Sequence, residues 1–272
     1  MQHPAELALH QYLQSAVNGT SKMSDETIQQ ICDDMKDAMH RQFGSGKGSE
    51  PFRMRMSNVG RPTCQLWFQK NQPEKAIPKP TTFIINMLIG DIVEAVFKGL
   101  LKEAGVKYQN SERVKLKIDE DTTVSGEYDL VIDGAVDDVK SASQWSYNNK
   151  FDSYESLKTG AAKKAGGWWV VNKANGQFKY TSASGMDVDE EVNKIKQTID
   201  IVEKNEFRRC FEPEIETFRG KTTGNKILNK NCTFCDFRFS CWPTLRELPA
   251  VKSQAKEPKI VSYVELAGEY LA

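Results

Sequence analysis

Two aspartates and a lysine in the middle of the chain are the residues best placed to do chemistry. The segment 126–143 reads GEYDLVIDGAVDDVKSAS, which puts Asp129 in one predicted strand and Asp138 and Lys140 in the next. Side chains two positions apart on a strand face the same way, so Asp138 and Lys140 project together. If the strands pair as a hairpin, Asp129 lies close to Asp138, and two such carboxylates are costly to bury unless a cation neutralises them.

Carboxylate oxygens favour a hard divalent cation, so this pair predicts a site for Mg²⁺ or Mn²⁺. The ammonium of Lys140 would stand beside the cation, where it can orient or help to deprotonate a water molecule and stabilise charge developing on a phosphate. The alternative is an exposed hairpin with solvated charges, since Asp-x-Lys is a common tripeptide. The apolar stretches LVID and AVDDV favour the first interpretation, because buried strands rarely carry charges without a partner.

The order of these motifs resembles that of the PD-(D/E)XK nucleases, in their RecB-like exonuclease branch. Asp129 lies in G-x-x-D-L-V-I-D, Asp138 and Lys140 lie in V-x-D-V-K-S, and the upstream segment 90–94, GDIVE, resembles the family's Gly-x-x-x-His/Glu motif. The resemblance implies a restriction-endonuclease-like α/β core, in which a central mixed sheet is flanked by helices, with an N-terminal helical region added. It also implies a Mg²⁺- or Mn²⁺-dependent deoxyribonuclease that hydrolyses phosphodiester bonds as an exonuclease.

The resemblance assigns catalytic roles to four residues, Glu94, Asp129, Asp138 and Lys140. The three carboxylates and the backbone carbonyl of Val139 would bind the metal, and the lysine would position or activate the nucleophile. Glu94 also has a plain interpretation as a solvent-facing helix residue. Asp91, three residues earlier on a neighbouring helix face, competes with Glu94 for the same role.

Three cysteines near the end of the chain form a second candidate site. They follow the spacing C-x2-C-x5-C and are Cys232, Cys235 and Cys241. Thiols this close together in a reduced compartment are typical of metal ligands. A fourth ligand is needed to close the site, and Cys64, in a predicted short helix, is the best candidate. The other two cysteines lie in helical patterns and are expected to be buried core thiols, namely Cys32 and Cys210.

Zinc is the common metal of four-cysteine sites. One upstream cysteine, nuclease motifs between, and C-x2-C-x5-C near the C-terminus nevertheless resemble the iron–sulfur subgroup of RecB-like nucleases, which includes the CRISPR-associated adaptation exonucleases and AddB nuclease subunits. The resemblance covers roughly 57–242 and implies a [4Fe-4S] cluster held by Cys64, Cys232, Cys235 and Cys241. A cluster there would close a loop of about 170 residues and stabilise the fold.

Basic and aromatic residues near these motifs are the candidates for DNA contact. The expected DNA-binding residues are Arg61, Lys163 and Lys164, and Trp145 is available to stack on an unpaired base. A lysine on a loop is also commonly just solvated. The segment 151–168 lacks the Gln-x-x-x-Tyr motif that RecB-like enzymes carry after the D-x-K strand. Either the motif has diverged, or residues near 160 are missing from this chain.

Helices and short strands must position these groups. Helical spacing predicts two N-terminal helices, the second capped by Ser24, and an apolar, mostly buried helix over 84–104. Alternating residues predict strands at 113–118, 126–133 and 135–140. Later segments predict, in order, a hairpin over 168–181, a helix over 186–207 and a short helix over 264–271. This order is typical of an α/β core with helical additions.

The composition bounds the class of protein. Among 272 residues, 37 Lys and Arg balance 37 Asp and Glu, which excludes a polycation but not a local basic groove. No apolar run is long enough to cross a bilayer and no signal-peptide pattern opens the chain, so an intracellular setting, such as a phage protein in a bacterial host, is expected. The expected organisation is a helical region at 1–56, a nuclease domain at 57–245, and a tail with a short helix at 246–272.

DNA ends, single- or double-stranded, are the expected partner, in recombination, repair or DNA degradation. The chain carries no helicase phosphate loop, so unwinding would need a helicase or recombination partner. Two alternatives stay open from the sequence. One is a non-catalytic DNA-binding or assembly module of a larger nuclease–helicase complex, and the other is an endonuclease whose cysteines bind zinc.

Overall fold

A computed structural model describes residues 2–44, 52–118, 120, 122–151, 166–182, 187–204 and 206–268. The chain divides into two compact units. Unit 1 consists of Met1–Gly60 and Pro80–Gln197, and unit 2 consists of Arg61–Lys79 and Thr198–Ala272. This division differs from the expected boundaries, because the N-terminal helices share a core with the strands that carry the acidic motifs, whereas the segment around Cys64 belongs with the C-terminal residues.

The described residues form seven α-helices and nine strands, which confirms the expected α/β class. The helices are α1 (Pro4–Val17), α2 (Asp25–Phe43), α3 (Thr63–Asn71), α4 (Thr82–Glu103), α5 (Gln144–Asn149), α6 (Val188–Glu203) and α7 (Arg238–Cys241). Ser24 caps α2 as expected, because its hydroxyl accepts a hydrogen bond from the Thr27 amide at 3.3 Å. No helix in the described ranges is long and apolar enough to cross a membrane.

Unit 1 is built around a five-stranded mixed sheet in the order β1-β2-β3-β4-β5. The strands are β1 (Tyr108–Lys117), β2 (Thr123–Ile132), β3 (Ala135–Ala142), β4 (Gly167–Asn172) and β5 (Phe178–Ser182). Neighbouring strands are antiparallel except β3 and β4, which are parallel. The predicted hairpin between β2 and β3 is confirmed, and it turns at Asp133 and Gly134, whose φ angles are 50° and 77°.

The core of unit 1 lies between this sheet and helices α1 and α4. Leu9 of α1 and Leu101 of α4 are fully buried against Leu130 of β2 and Trp169 of β4. Helix α2 packs closely on α4 at Gly99, where a Cβ atom would come within 2.5 Å of the Ile31 side chain. These contacts fix α4 next to the strands that carry the acidic residues.

Helix α4 confirms the predicted helix over 84–104 but corrects the expectation that it is mostly buried. Its buried residues all lie between Ala95 and Leu101, in the second half. In the first half, Phe83, Ile85 and Met87 are 40%, 50% and 43% exposed. Because the sequence is apolar on every face of the helix, its periodicity could not reveal which turns lie outside the core.

Unit 2 contains a four-stranded antiparallel sheet in the order β6-β7-β9-β8. The strands are β6 (Glu214–Phe218), β7 (Lys221–Ile227), β8 (Arg246–Pro249) and β9 (Ile260–Glu265). The expected tail with a short helix is therefore corrected, since 260–265 pair as a strand, while 269–272 lie outside the described residues. The physical reason is Tyr263, which is 1% exposed and donates its hydroxyl to Glu216 at 2.8 Å, so strand alternation buries it.

Candidate metal centre and cysteine cluster

Asp129, Asp138 and Lys140 meet where β2 and β3 stop pairing. The last paired residues are Leu130 and Asp137, so Asp129 and Asp138 occupy the next opposed positions. There Asp129 Oδ2 accepts a hydrogen bond from the Val139 amide at 2.7 Å, and Lys140 Nζ forms an ion pair with Asp138 Oδ2. The structure thus brings the three predicted side chains together, in the geometry that the hairpin requires.

Asp129 is the most perturbed carboxyl group of this cluster. Burial, and next the repulsion from Asp138, raise the pKa of Asp129 to about 7, although the Val139 amide and the Lys140 ammonium act in the opposite direction. The carboxyl group is therefore half protonated near neutral pH when no cation is bound. A dication in front of it would oppose both effects, because its charge stabilises the ionised carboxylate.

Glu94 of α4 joins the same cluster. Burial raises the pKa of Glu94, and the next cause is the negative charge of Asp129. Burial alone would lower the pKa of Lys140, but the carboxylates of Asp138, Asp129 and Glu94 raise it overall, so the ammonium form is favoured. Asp91, the competing helix residue, instead accepts a hydrogen bond from Gln42 of α2 at 2.9 Å.

Lys98 is a member of this cluster that the sequence analysis missed. It lies one helical turn after Glu94 and is 9% exposed. Its ammonium donates to Glu94 Oε1 at 2.5 Å. The i,i+4 spacing of an acid and a lysine was a readable signal for this pair, but such pairs are common on exposed helix faces. The ammonium of Lys98 therefore compensates the negative charge of the ionised Glu94 side chain.

Asp137, next to the cluster, points to the opposite face of β3 and has a structural role. It is 1% exposed. Its carboxylate accepts hydrogen bonds from the Gly167 amide at 2.8 Å, Trp169 Nε1 at 3.0 Å and Tyr180 OH at 3.1 Å. These bonds tie β3 to β4 and β5, and they hold Asp138 at its place in the sheet. The role of the Val139 carbonyl as a metal ligand stays a prediction.

The donor set fits a hard dication by its chemistry. Three carboxyl groups interact electrostatically, and two ammonium groups compensate only part of their negative charge. Among the residues that the structure describes, no three His, Cys, Asp or Glu side chains already stand at distances that would ligate a single ion. Binding would therefore require the carboxylates to turn toward the ion and away from their lysines, by side-chain rotation.

The four cysteines predicted as ligands line one cavity in unit 2. They are Cys64, Cys232, Cys235 and Cys241. The predicted short helix after Pro62 is confirmed as α3, and it places Cys64 in its first turn. Burial raises the pKa of Cys232 to about 11 and also raises those of Cys235 and Cys241, so without a metal these thiols stay protonated. A soft metal that binds thiolates fits this donor set.

The expectation that Cys32 and Cys210 are buried is wrong for both, because both are exposed. On α2, Ile31 faces the core, so its neighbour Cys32 is turned outward. Cys210 lies between α6 and β6, beyond the end of the helix that predicted its burial. Its sulfur is 3.1 Å from the Cys64 amide, and the hydrogen bond from the Cys64 thiol lowers the pKa of Cys210 to about 6.

The residues expected to contact DNA differ in what the structure describes. Arg61 is exposed and directly precedes Pro62 in unit 2, whereas Lys163 and Lys164 lie outside the described residues, as does most of the segment expected to hold Gln-x-x-x-Tyr. Trp145 of α5 is 62% exposed. Lys150 Nζ lies 5.8 Å from the centre of the Trp145 ring. This pair offers a flat face and a positive charge directly after β3.

Comparison with known proteins adds little to this geometry. No protein-family model matches the chain, and no curated protein matches it. The chain is similar to a solved structure described as "Crystal structure of SSO0001", with a TM-score of 0.42 and 12% sequence identity. The similarity covers 77% of this chain and 93% of that chain.

Proposed function

We propose that this protein is a metal-dependent DNA nuclease that hydrolyses phosphodiester bonds at DNA ends. The observation that carries the proposal is the meeting of Asp129, Asp138 and Lys140 at the point where two strands diverge, with Glu94 approaching from α4. Half-buried carboxylates that repel one another are costly to keep. A role that needs their combined charge, such as holding a hard cation against a phosphate, accounts for that cost.

Each residue of the cluster has its own role in the proposed hydrolysis. The three carboxylates would hold a Mg²⁺ or Mn²⁺ ion, which would supply Lewis acidity at the phosphate and toward water. Three neighbouring carboxylates raise the pKa of Lys140, so its ammonium donates hydrogen bonds and positive charge to the attacking water or the phosphate, and does not act as a base. Before an ion binds, the Val139 amide holds the carboxylate of Asp129, and Asp138 holds the ammonium of Lys140 beside the cluster.

The substrate class follows from the surroundings of the cluster. Trp145 of α5 would stack on a base and Lys150, directly after that helix, would contact a phosphate of a single strand, which suits a frayed or resected DNA end. DNA contacts by Arg61, Lys163 and Lys164 stay predictions from the sequence. A helicase or recombination partner would supply strand separation, since the chain has no phosphate loop of its own.

The test uses end-labelled linear DNA, single- and double-stranded, beside a circular substrate. We expect linear DNA to be shortened with Mg²⁺ or Mn²⁺ and left intact with a chelator. We expect Asp138→Ala and Lys140→Ala to abolish cleavage and to keep the melting temperature, while Glu127→Ala, a control at an exposed position on β2, keeps the activity. Full activity in either cluster variant would refute the assignment. DNA binding without any cleavage would favour the assembly-module alternative.

We further propose that Cys64, Cys232, Cys235 and Cys241 bind a [4Fe-4S] cluster, with zinc as the alternative metal. The support is that the four thiols line one cavity together with Phe68 and Trp242. The bound group would cross-link α3 to the segment before β8 and stabilise unit 2. An anaerobically purified brown protein that contains iron and absorbs near ~400 nm would support the cluster, and a colourless protein that contains zinc would refute it.

A further inference from the structure

Cys210 is a thiol that the proposed ligand set leaves unused. It is exposed, and it lies in unit 2 before β6. Its sulfur accepts a hydrogen bond from the Cys64 amide at 3.1 Å and lies 3.4 Å from the Thr63 hydroxyl. The thiols of Cys64 and Cys210 are also hydrogen-bonded to each other. Two cysteines 146 residues apart in sequence are therefore in contact, the sulfur of Cys210 with the backbone amide of Cys64.

The start of α3 explains why a sulfur atom lies there. The helix begins at Thr63, and Pro62, which precedes it, caps none of its first amides with a side chain. Cys210 Sγ takes that place by accepting from the Cys64 amide. Cys210 thus combines solvent access with contact to the residue that carries a second thiol.

We propose that Cys210 and Cys64 form an oxidisable thiol pair that a peroxide converts into a disulfide when Cys64 binds no metal. The Cys210 thiolate attacks one peroxide oxygen, so an S–O bond forms, the O–O bond breaks and hydroxide leaves as the second oxygen. The sulfur of Cys64 then attacks the Cys210 sulfur as its thiol loses the proton, forming the S–S bond and breaking the S–O bond, so that the first oxygen leaves with that proton as water. The two thiols lose two electrons in total, and the peroxide is reduced to two water molecules after protonation.

The disulfide would remove Cys64 from the cavity that the other three cysteines line. A sulfur atom in a disulfide is no longer a thiolate, so it cannot ligate a metal. Only this consequence for metal binding rests on the proposed metal site. If that site exists, the disulfide would form only while the site is empty. The formation of the disulfide itself requires neither a metal nor nuclease activity.

The experiment maps disulfides in the full chain after chelation and reduction. The metal-free protein is treated anaerobically with hydrogen peroxide, its remaining thiols are alkylated, and it is digested with trypsin without reduction. Trypsin separates the relevant cysteines: Cys64 lies in the peptide 56–70, Cys210 in 210–219, Cys232 and Cys235 in 231–238, and Cys241 in 239–246. Mass spectrometry then identifies which peptides are joined.

We expect the peptides 56–70 and 210–219 to be the main linked pair. Cys210→Ser should lose this pair, whereas Cys32→Ser, which changes an exposed cysteine on α2, should retain it. A different main disulfide, such as one joining 231–238 to 239–246, would overturn the proposal. The proposal would also be overturned if, after peroxide treatment, Cys210 of the wild type were alkylated or were oxidised to an acid without forming a disulfide. The wild-type map is decisive even if a variant folds poorly, and it is independent of cleavage assays.

Discussion

Replacing Asp129 with asparagine should stabilise the metal-free protein while it destroys the proposed activity. Burial and the nearby Asp138 raise the pKa of Asp129 from 3.8 to about 7. Between about pH 4 and pH 7 the folded protein holds this proton and the unfolded chain has lost it, so the free energy of unfolding falls as the pH rises through that window. Above pH 7 the free energy of unfolding falls no further. A pKa difference of about 3 corresponds to a total fall of about 4 kcal/mol at most.

An asparagine side chain has the shape of the protonated aspartate and keeps an oxygen that can accept from the Val139 amide. At pH 8 with a chelator, we expect Asp129→Asn to raise the free energy of unfolding by about 2–4 kcal/mol, which is several degrees in melting temperature. At pH 5 the gain should shrink to about 1–2 kcal/mol, because most of the loss in the wild type occurs between pH 5 and pH 7. Added Mn²⁺ should stabilise only the wild type.

The assay is thermal unfolding at both pH values, with Glu127→Gln as the matched control because it removes an exposed charge from the same strand. The control should change the melting temperature little at either pH. Asp129→Asn could instead be less stable than the wild type at pH 8, or change the melting temperature equally at both pH values. Either result would show that ionisation of Asp129 does not destabilise the folded protein. The argument for a cation at this position would fail with it.

Three further predictions test other parts of the molecule. Cys235→Ser should lose the bound metal and absorbance near ~400 nm, which metal analysis checks, and retained iron would contradict the ligand set. Gly99→Ala should lower the unfolding free energy by about 1–2 kcal/mol, because its Cβ meets Ile31, whereas a stabilised variant in urea unfolding would refute this packing. Trp145→Ala should weaken binding of single-stranded DNA by about 1–3 kcal/mol in a fluorescence titration, and unchanged affinity would exclude stacking there.

The central part of the fold could be predicted because its local signals agree. Alternation and an Asp-Gly turn predicted β2 and β3, and the two-residue spacing of Asp138 and Lys140 placed them together. Ser24 and the helical spacing after it predicted α2. In each case one short segment of sequence contains all of the information that fixes the element.

The remaining features depend on contacts between distant segments, which local patterns do not encode. Lys98 is buried and the first half of α4 is exposed, and both depend on which segments pack against each turn of the helix. The contact between Cys210 and Cys64 joins residues far apart in sequence, so a helical pattern around Cys210 gave no sign of it. Tyr263 became part of a strand because Glu216 accepts its buried hydroxyl.

Calorimetric titration of Mn²⁺ into the metal-free protein at pH 8 tests the central claim most directly. We predict that the wild type binds Mn²⁺ and that Asp138→Asn, which keeps the shape of the side chain but removes its charge, weakens binding ~10-fold or more, which is about 1.4 kcal/mol. A wild type that binds no Mn²⁺, or a variant that binds it as tightly as the wild type, would contradict a cation site built on these carboxylates.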